Sequence, residues 1–224
     1  MKKNILVENK TTIPVYCLLI LITLLAFPPI GVLVAFVFIC LIVISNRKES
    51  ILKSIGFVPP ESWKKTVLVS LCLGILIELS FQIFFNDIFE YITNSKIDVS
   101  GFDSVRGDVA GYMIMLSVGW VIGGFIEEIT FRGYLITRLI KVFGGSRFVV
   151  PLIILSTSIL FGISHMYQGW SGVLSTGTIS LIFGIIFIKS RLNMWYPILI
   201  HGFVNTTGFT LIYLNCDTIL QNIW

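Results

Sequence analysis

The chain has 224 residues, 55% of them hydrophobic and 12% charged, with a formal net charge of +4. A soluble domain carries about 25% charged residues, so the composition excludes an ordinary water-soluble fold. Its apolar residues come in blocks without alternation, which excludes a membrane β-barrel and predicts an all-α, polytopic membrane helical bundle.

A membrane span needs about 20 apolar residues, or about 17 at the short end. Seven windows are read as spans: roughly 11–27, 30–45, 66–85, 107–127, 148–165, 172–188 and 194–214. Pro28-Pro29 divides the first two, because proline lacks the amide and restricts its predecessor. Lys2 and Lys3 before an apolar stretch also suit a signal peptide, but Glu8 and Lys10 intervene and no small-residue cleavage site precedes Pro28. With seven spans, fourteen of the sixteen lysines and arginines fall on one side and only Lys96 and Arg106 on the other. The positive-inside rule then makes the N-terminus cytoplasmic and the C-terminus external. Topology thus accounts for the net charge, and no nucleic-acid partner is expected.

Along the chain, segment 46–65 is a basic connector at the lipid headgroups, and 86–106 is an external loop whose acids, Asp87, Glu90, Asp98 and Asp103, are solvated. The fourth helix is expected to continue past its span, from about 107 to 143, until Gly144-Gly145 ends it. On that helix Arg138 and Lys141 alternate with apolar residues. Cys17, Cys40, Cys72 and Cys216 show no paired spacing and read as buried, apolar-like thiols. The whole is one integral membrane domain, divided into N-terminal helices and connectors (1–106) and a core (107–214).

Charge inside that core calls for explanation, since an ionised side chain at mid-bilayer costs about 2.5–3.5 kcal/mol on insertion scales. In Gly124-Phe-Ile-Glu-Glu-Ile-Thr-Phe-Arg-Gly133, Glu128 and Arg132 are four residues apart and share a helix face, so they can pair. Glu127 points about 100° away and has no partner on its own helix. The chain holds two histidines. His165 closes Phe161-Gly-Ile-Ser-His165, and His201 opens His201-Gly-Phe-Val-Asn205, again with four-residue spacings. Such groups suit hydrolysis: a desolvated glutamate as general base on water, an imidazole sharing the proton, a second imidazole and an amide facing the developing oxyanion. Glu127, His165 and His201 could alternatively hold a divalent metal such as zinc, although no HExxH helix is present. The bland readings are a structural ion pair for Glu128 with Arg132, interhelical hydrogen bonds for the histidines, and interhelical glue for Asn205. Glu78, isolated in the third span, is left unassigned.

The three motifs, EEITFR at 127–132, FGISH at 161–165 and HGFVN at 201–205, resemble EExxxR, FxxxH and HxxxN of the CAAX protease and bacteriocin-processing (CPBP, or Abi) family of intramembrane proteases, in the same order. The resemblance covers residues 107 to 210 and implies peptide-bond cleavage within or beside the membrane. By analogy, Glu127 with His165 activates the water, His201 and Asn205 stabilise the oxyanion, and Glu128 with Arg132 holds the first motif; both metal and glutamate mechanisms are described for the family. The implied partners are membrane lipid and a peptide or protein substrate, lipidated in the eukaryotic relatives. Short loops and compact size favour a bacterial plasma membrane. Competing functions are a proton-coupled transporter and a non-catalytic bacteriocin immunity or scaffold protein. One test of the shared site is depth. Counted from the cytoplasmic turns at 1.5 Å per residue, His165 lies about 26 Å deep and His201 about 11 Å. Helix tilt, a raised fifth helix or a re-entrant stretch at Met166–Gly177 is needed to unite them.

Overall fold

The computed structural model describes residues 8–27, 30–45 and 51–216. The expected break at Pro28-Pro29, the basic residues Lys2, Lys3, Arg47 and Lys48, and the final residues lie outside that set. All regular structure among the described residues is helical. Seven long helices follow in order: α1 Thr12–Ala26, α2 Gly31–Ser45, α3 Trp63–Thr93, α4 Val109–Phe143, α5 Val149–Ser164, α6 Gly169–Lys189 and α7 Trp195–Tyr213. By length and composition, α3, α4, and α6 with its lead-in from Met166 are long and apolar enough to cross a membrane, and α1, α2 and α5 are shorter apolar helices. Large apolar side chains such as Leu18, Leu76, Val121 and Ile159 face outward. Exposure on that scale suits lipid and would be a liability in water.

Local chemistry starts and stops these helices. Ser62 Oγ accepts from the Lys65 N–H (3.3 Å) at the start of α3, and Asp108 Oδ2 accepts from the Gly111 N–H (2.6 Å) at the start of α4. Each satisfies an amide that the first turn leaves unpaired. At the other end of α4, Gly144 takes φ 92°, which stops the helix where the sequence predicts. Two stretches of α4, Gly119–Glu127 and Ile129–Ile136, are π-helical, with bonds from i to i+5. Such widened turns are rare and often mark functional sites.

Several expectations are corrected. The external loop begins later than 86: α3 continues through a π turn at Phe81–Phe85 to Thr93, so Asp87 and Glu90 are helical. Glu90 Oε1 then accepts from the Ile97 N–H (2.9 Å). Met166–Gln168 is a single 3₁₀ turn leading directly into α6, so the stretch from Met166 to Gly177 is helical. Of the four cysteines only Cys17 is buried, and Cys72 is exposed.

Arg138 departs most from expectation, being fully buried. Its Nε donates to Glu8 Oε1 (2.7 Å), its Nη2 to Ser54 Oγ (2.9 Å) and its Nη1 to Thr137 Oγ1 (3.1 Å), while the guanidinium lies over the Tyr134 ring. The wide π turns just before it change which face of α4 turns inward, and a 3.6-residue reading therefore misplaces it. Arg132 and Arg138 are thus interior groups, and removing both from the loop charges leaves the charge bias in the same direction. Arg138→Ala is expected to destabilise the fold by about 3–5 kcal/mol, the cost of breaking a buried pair. Thermal unfolding in detergent measures it; an unchanged midpoint would show that the clasp is idle.

The interior divides around α4. One apolar cluster joins α1, α2 and α5 to the second half of α4 through Ile20, Ile39, Leu135 and Phe161; the other joins α3, α6 and α7 through Ile77, Phe81, Phe183 and Ile200. The first half of α4 packs on α7. The seam between the clusters runs along α4, where its polar residues lie.

Candidate active site

Glu128 sits at this seam with no exposed surface. Its Oε1 accepts from Arg132 Nη1 (2.8 Å), the pair that the four-residue spacing predicts, and also bonds His201 Nδ1 (2.7 Å) on α7. Arg132, 1% exposed, spends its Nη2 on the backbone oxygen (3.0 Å) and hydroxyl (2.8 Å) of Ser180 on α6. Its guanidinium carbon lies 5.1 Å from the Phe161 ring centroid and 5.3 Å from that of Phe183. Cation–π contact of this kind gains strength where water is excluded. One ion pair therefore ties α4 to α5, α6 and α7.

The carboxylate–imidazole bond orients His201. A carboxylate accepts, so Nδ1 carries the proton and the far nitrogen, Nε2, is the one presented to its surroundings. That nitrogen lies 4.0 Å from Glu127 Oε2. The separation is too long for a direct hydrogen bond. Both groups line a cavity of about 480 Å³, of the size that takes a peptide segment or a small ligand.

The cavity also brings in the other motif residues, His165 and Asn205. His165 Nδ1 donates to the Phe161 carbonyl (2.9 Å), which can only accept, so its Nε2 is the nitrogen left with a lone pair. No hydrogen bond or ion pair joins His165 to Glu127 among the described residues. The Phe161 ring stacks on His165 (centroids 4.6 Å) and meets His201 edge-on (6.3 Å). The two imidazoles thus flank one ring, and the depth difference counted from the loops does not keep them apart. That count assumed parallel helices starting at a common level.

Asn205 Nδ2 donates to the Gly119 carbonyl (2.9 Å). Gly119 opens the first π stretch, and a change of helical register is where a backbone carbonyl loses its regular partner. The carboxamide keeps a second N–H for other use. Close approach of α4 and α7 makes this possible: a Cβ on Gly123 would lie 2.5 Å from Asn205 Nδ2 and 3.1 Å from His201 Nε2.

Sequence reasoning missed Ser180, Phe183 and this glycine pair. Gly119 and Gly123 form a small-xxx-small pattern, which signals close helix packing in membranes. Ser180 carried no comparable signal. Among the described residues, no group of three His, Cys, Asp or Glu side chains is gathered that could hold a metal.

Residues 109–207 match the family model described as type II CAAX prenyl endopeptidase Rce1-like. No curated protein and no solved structure matches the chain. The matched segment runs from the start of α4 into α7 and contains all three motifs, and this match supports a CAAX/CPBP-type protease family.

Proposed function

We propose that the chain is an intramembrane endopeptidase that hydrolyses a peptide bond of a membrane-associated or lipidated peptide, with Glu127 as general base. In this reading it is a seven-pass protein of a bacterial plasma membrane with a cytoplasmic N-terminus. The observation that carries the chemistry is the pairing of a cavity-facing carboxylate with an imidazole whose rear nitrogen is held by a buried ion pair. The family match supports the reaction class.

In the catalytic cycle, a water between Glu127 and the His165 Nε2 lone pair gives one proton to Glu127 as its oxygen attacks the scissile carbonyl. In this mechanism His201 presents an Nε2–H to the cavity. That N–H and the spare N–H of Asn205 donate to the oxyanion. Collapse breaks the C–N bond, and Glu127 returns its proton to the departing amine. The products are a carboxylic acid and an amine, and Glu127 is again a carboxylate. Phe102, Ile179 and Phe209 give the cavity an apolar wall suited to a lipid or an apolar side chain.

Cleavage of a panel of fluorogenic lipidated and unlipidated peptides by purified protein tests the reading. Activity is expected to survive a zinc chelator, and its loss would move the mechanism to a metal. Gly123→Ala is expected to lower kcat/KM by about 10²-fold, because the new methyl displaces the Asn205 amide or His201 Nε2. Unaltered kinetics in that variant would remove both groups from the proposed oxyanion site.

A further inference from the structure

The cavity has a wall that none of the three motifs supplies. On α3, Glu78, Gln82 and Asn86 follow one another four residues apart, and all three line the cavity. Gln82 Nε2 donates to Glu78 Oε1 (2.9 Å), and Asn86 Oδ1 accepts from Ser175 Oγ on α6 (2.8 Å). Glu78 is 8% exposed. It forms no ion pair with a lysine, arginine or histidine among the described residues, and Gln82 is its one hydrogen-bond partner there. Among the described residues no lysine or arginine lines the cavity, whereas two carboxylates do, Glu78 and Glu127. An acid inside an apolar bundle needs a partner or a purpose, and Glu127 already has its purpose in the reaction.

The position of Glu78 relative to the reacting groups is fixed by α7. A Cβ on Gly208 would lie 2.9 Å from Glu78 Oε1, so the carboxylate rests directly against α7 at that residue. Gly208 is three residues beyond Asn205 and seven beyond His201, about 4.5 Å and about 10.5 Å along a helix axis. An extended peptide advances about 3.3 Å per residue. A substrate that lies extended along α7 with its scissile carbonyl at His201 therefore brings a side chain about three residues away to Glu78.

We propose that Glu78, flanked by the amides of Gln82 and Asn86, is a specificity subsite that receives a cationic side chain, lysine or arginine, about three residues from the bond cleaved. The proposal rests on the protease reading above. A buried carboxylate with a single neutral donor has acceptor capacity left for an ammonium or a guanidinium, and charge-assisted bonds of that kind are the strong ones. The same arrangement disfavours an acidic residue at that position, because two carboxylates would then face each other away from water.

The test uses the full chain in lipid nanodiscs and an N-acetylated, C-amidated, fluorophore-labelled decapeptide of alanine and leucine. A single lysine, arginine, norleucine or glutamate is walked through its positions. Wild type is expected to prefer lysine or arginine over norleucine by at least about tenfold in kcat/KM at one position only. Glu78→Gln is expected to bring that ratio close to one, and Glu78→Lys to invert it towards glutamate. A missing preference, or one that Glu78→Gln leaves intact in a monodisperse protein, overturns the subsite. If wild type cuts none of the peptides, the protease reading fails separately, and fluorescence anisotropy still decides the subsite: lysine and norleucine peptides bound equally well by wild type would end it.

Discussion

Glu127→Ala and Glu127→Gln are expected to lower peptide cleavage by about 10²–10⁴-fold, the range that a positioned general base contributes, while the protein stays folded. Stability should hold because Glu127 takes no part in the buried ion pair; its ion-pair contact among the described residues is the 4.0 Å separation from His201 Nε2. The glutamine variant is the more informative. It keeps the size and hydrogen-bonding reach of the side chain and removes only the capacity to take a proton, so equal losses in both variants assign proton transfer to Glu127. His165→Ala is expected to lose less than Glu127→Ala, since its role is to orient the water and it has no direct bond to the carboxylate. A Glu127→Gln protein that cleaves at wild-type rates would end the assignment and leave His165, whose Nε2 keeps a lone pair and which lines the same cavity, as the base.

How far the sequence leads to this site differs between residues. The pairing of Glu128 with Arg132 is legible because residues four apart share a face in either an α or a π turn, and the observed 2.8 Å bond has that origin. The extent of α4 is legible too, since apolar residues persist to Phe143 and a glycine follows. The partner of His201 is not. The sequence assigns Glu128 to its own helix alone, whereas the same oxygen also holds an imidazole 73 residues further on. That contact depends on how closely α4 and α7 approach, a tertiary property set by glycines at 119, 123 and 202. Arg138 fails for a different reason: helical phase read at 3.6 residues per turn accumulates error across two π stretches, and the predicted outer face becomes the inner one. Glu78 is legible in the sequence as an isolated acid. Its two amide companions at four-residue intervals carry no signal without the cavity, which has all three in its lining.

Arg132→Ala is expected to be the most damaging substitution for the fold, costing about 3–5 kcal/mol where a whole domain holds about 5–15. Among the described residues the guanidinium is the one lysine or arginine group bonded to Glu128, and without it a fully buried carboxylate keeps only the His201 contact. The variant also loses the two bonds to Ser180 and the packing between Phe161 and Phe183. Arg132→Lys should recover little, since an ammonium cannot reproduce a planar fork that bonds Glu128 and Ser180 simultaneously while lying between two rings. The double variant Glu128→Gln with Arg132→Met separates fold from function. Removing both charges together avoids stranding either one, so its unfolding midpoint should lie well above that of Arg132→Ala. Activity should remain low in the double variant, because His201 then lacks the charged acceptor that holds its Nδ1 and directs Nε2 to the cavity. Tryptophan-fluorescence melts beside the peptide assay read both quantities on the same samples. An Arg132→Ala protein as stable as wild type would mean that the ion pair is not what joins the four helices, and a double variant with full activity would mean that His201 needs no acid behind it.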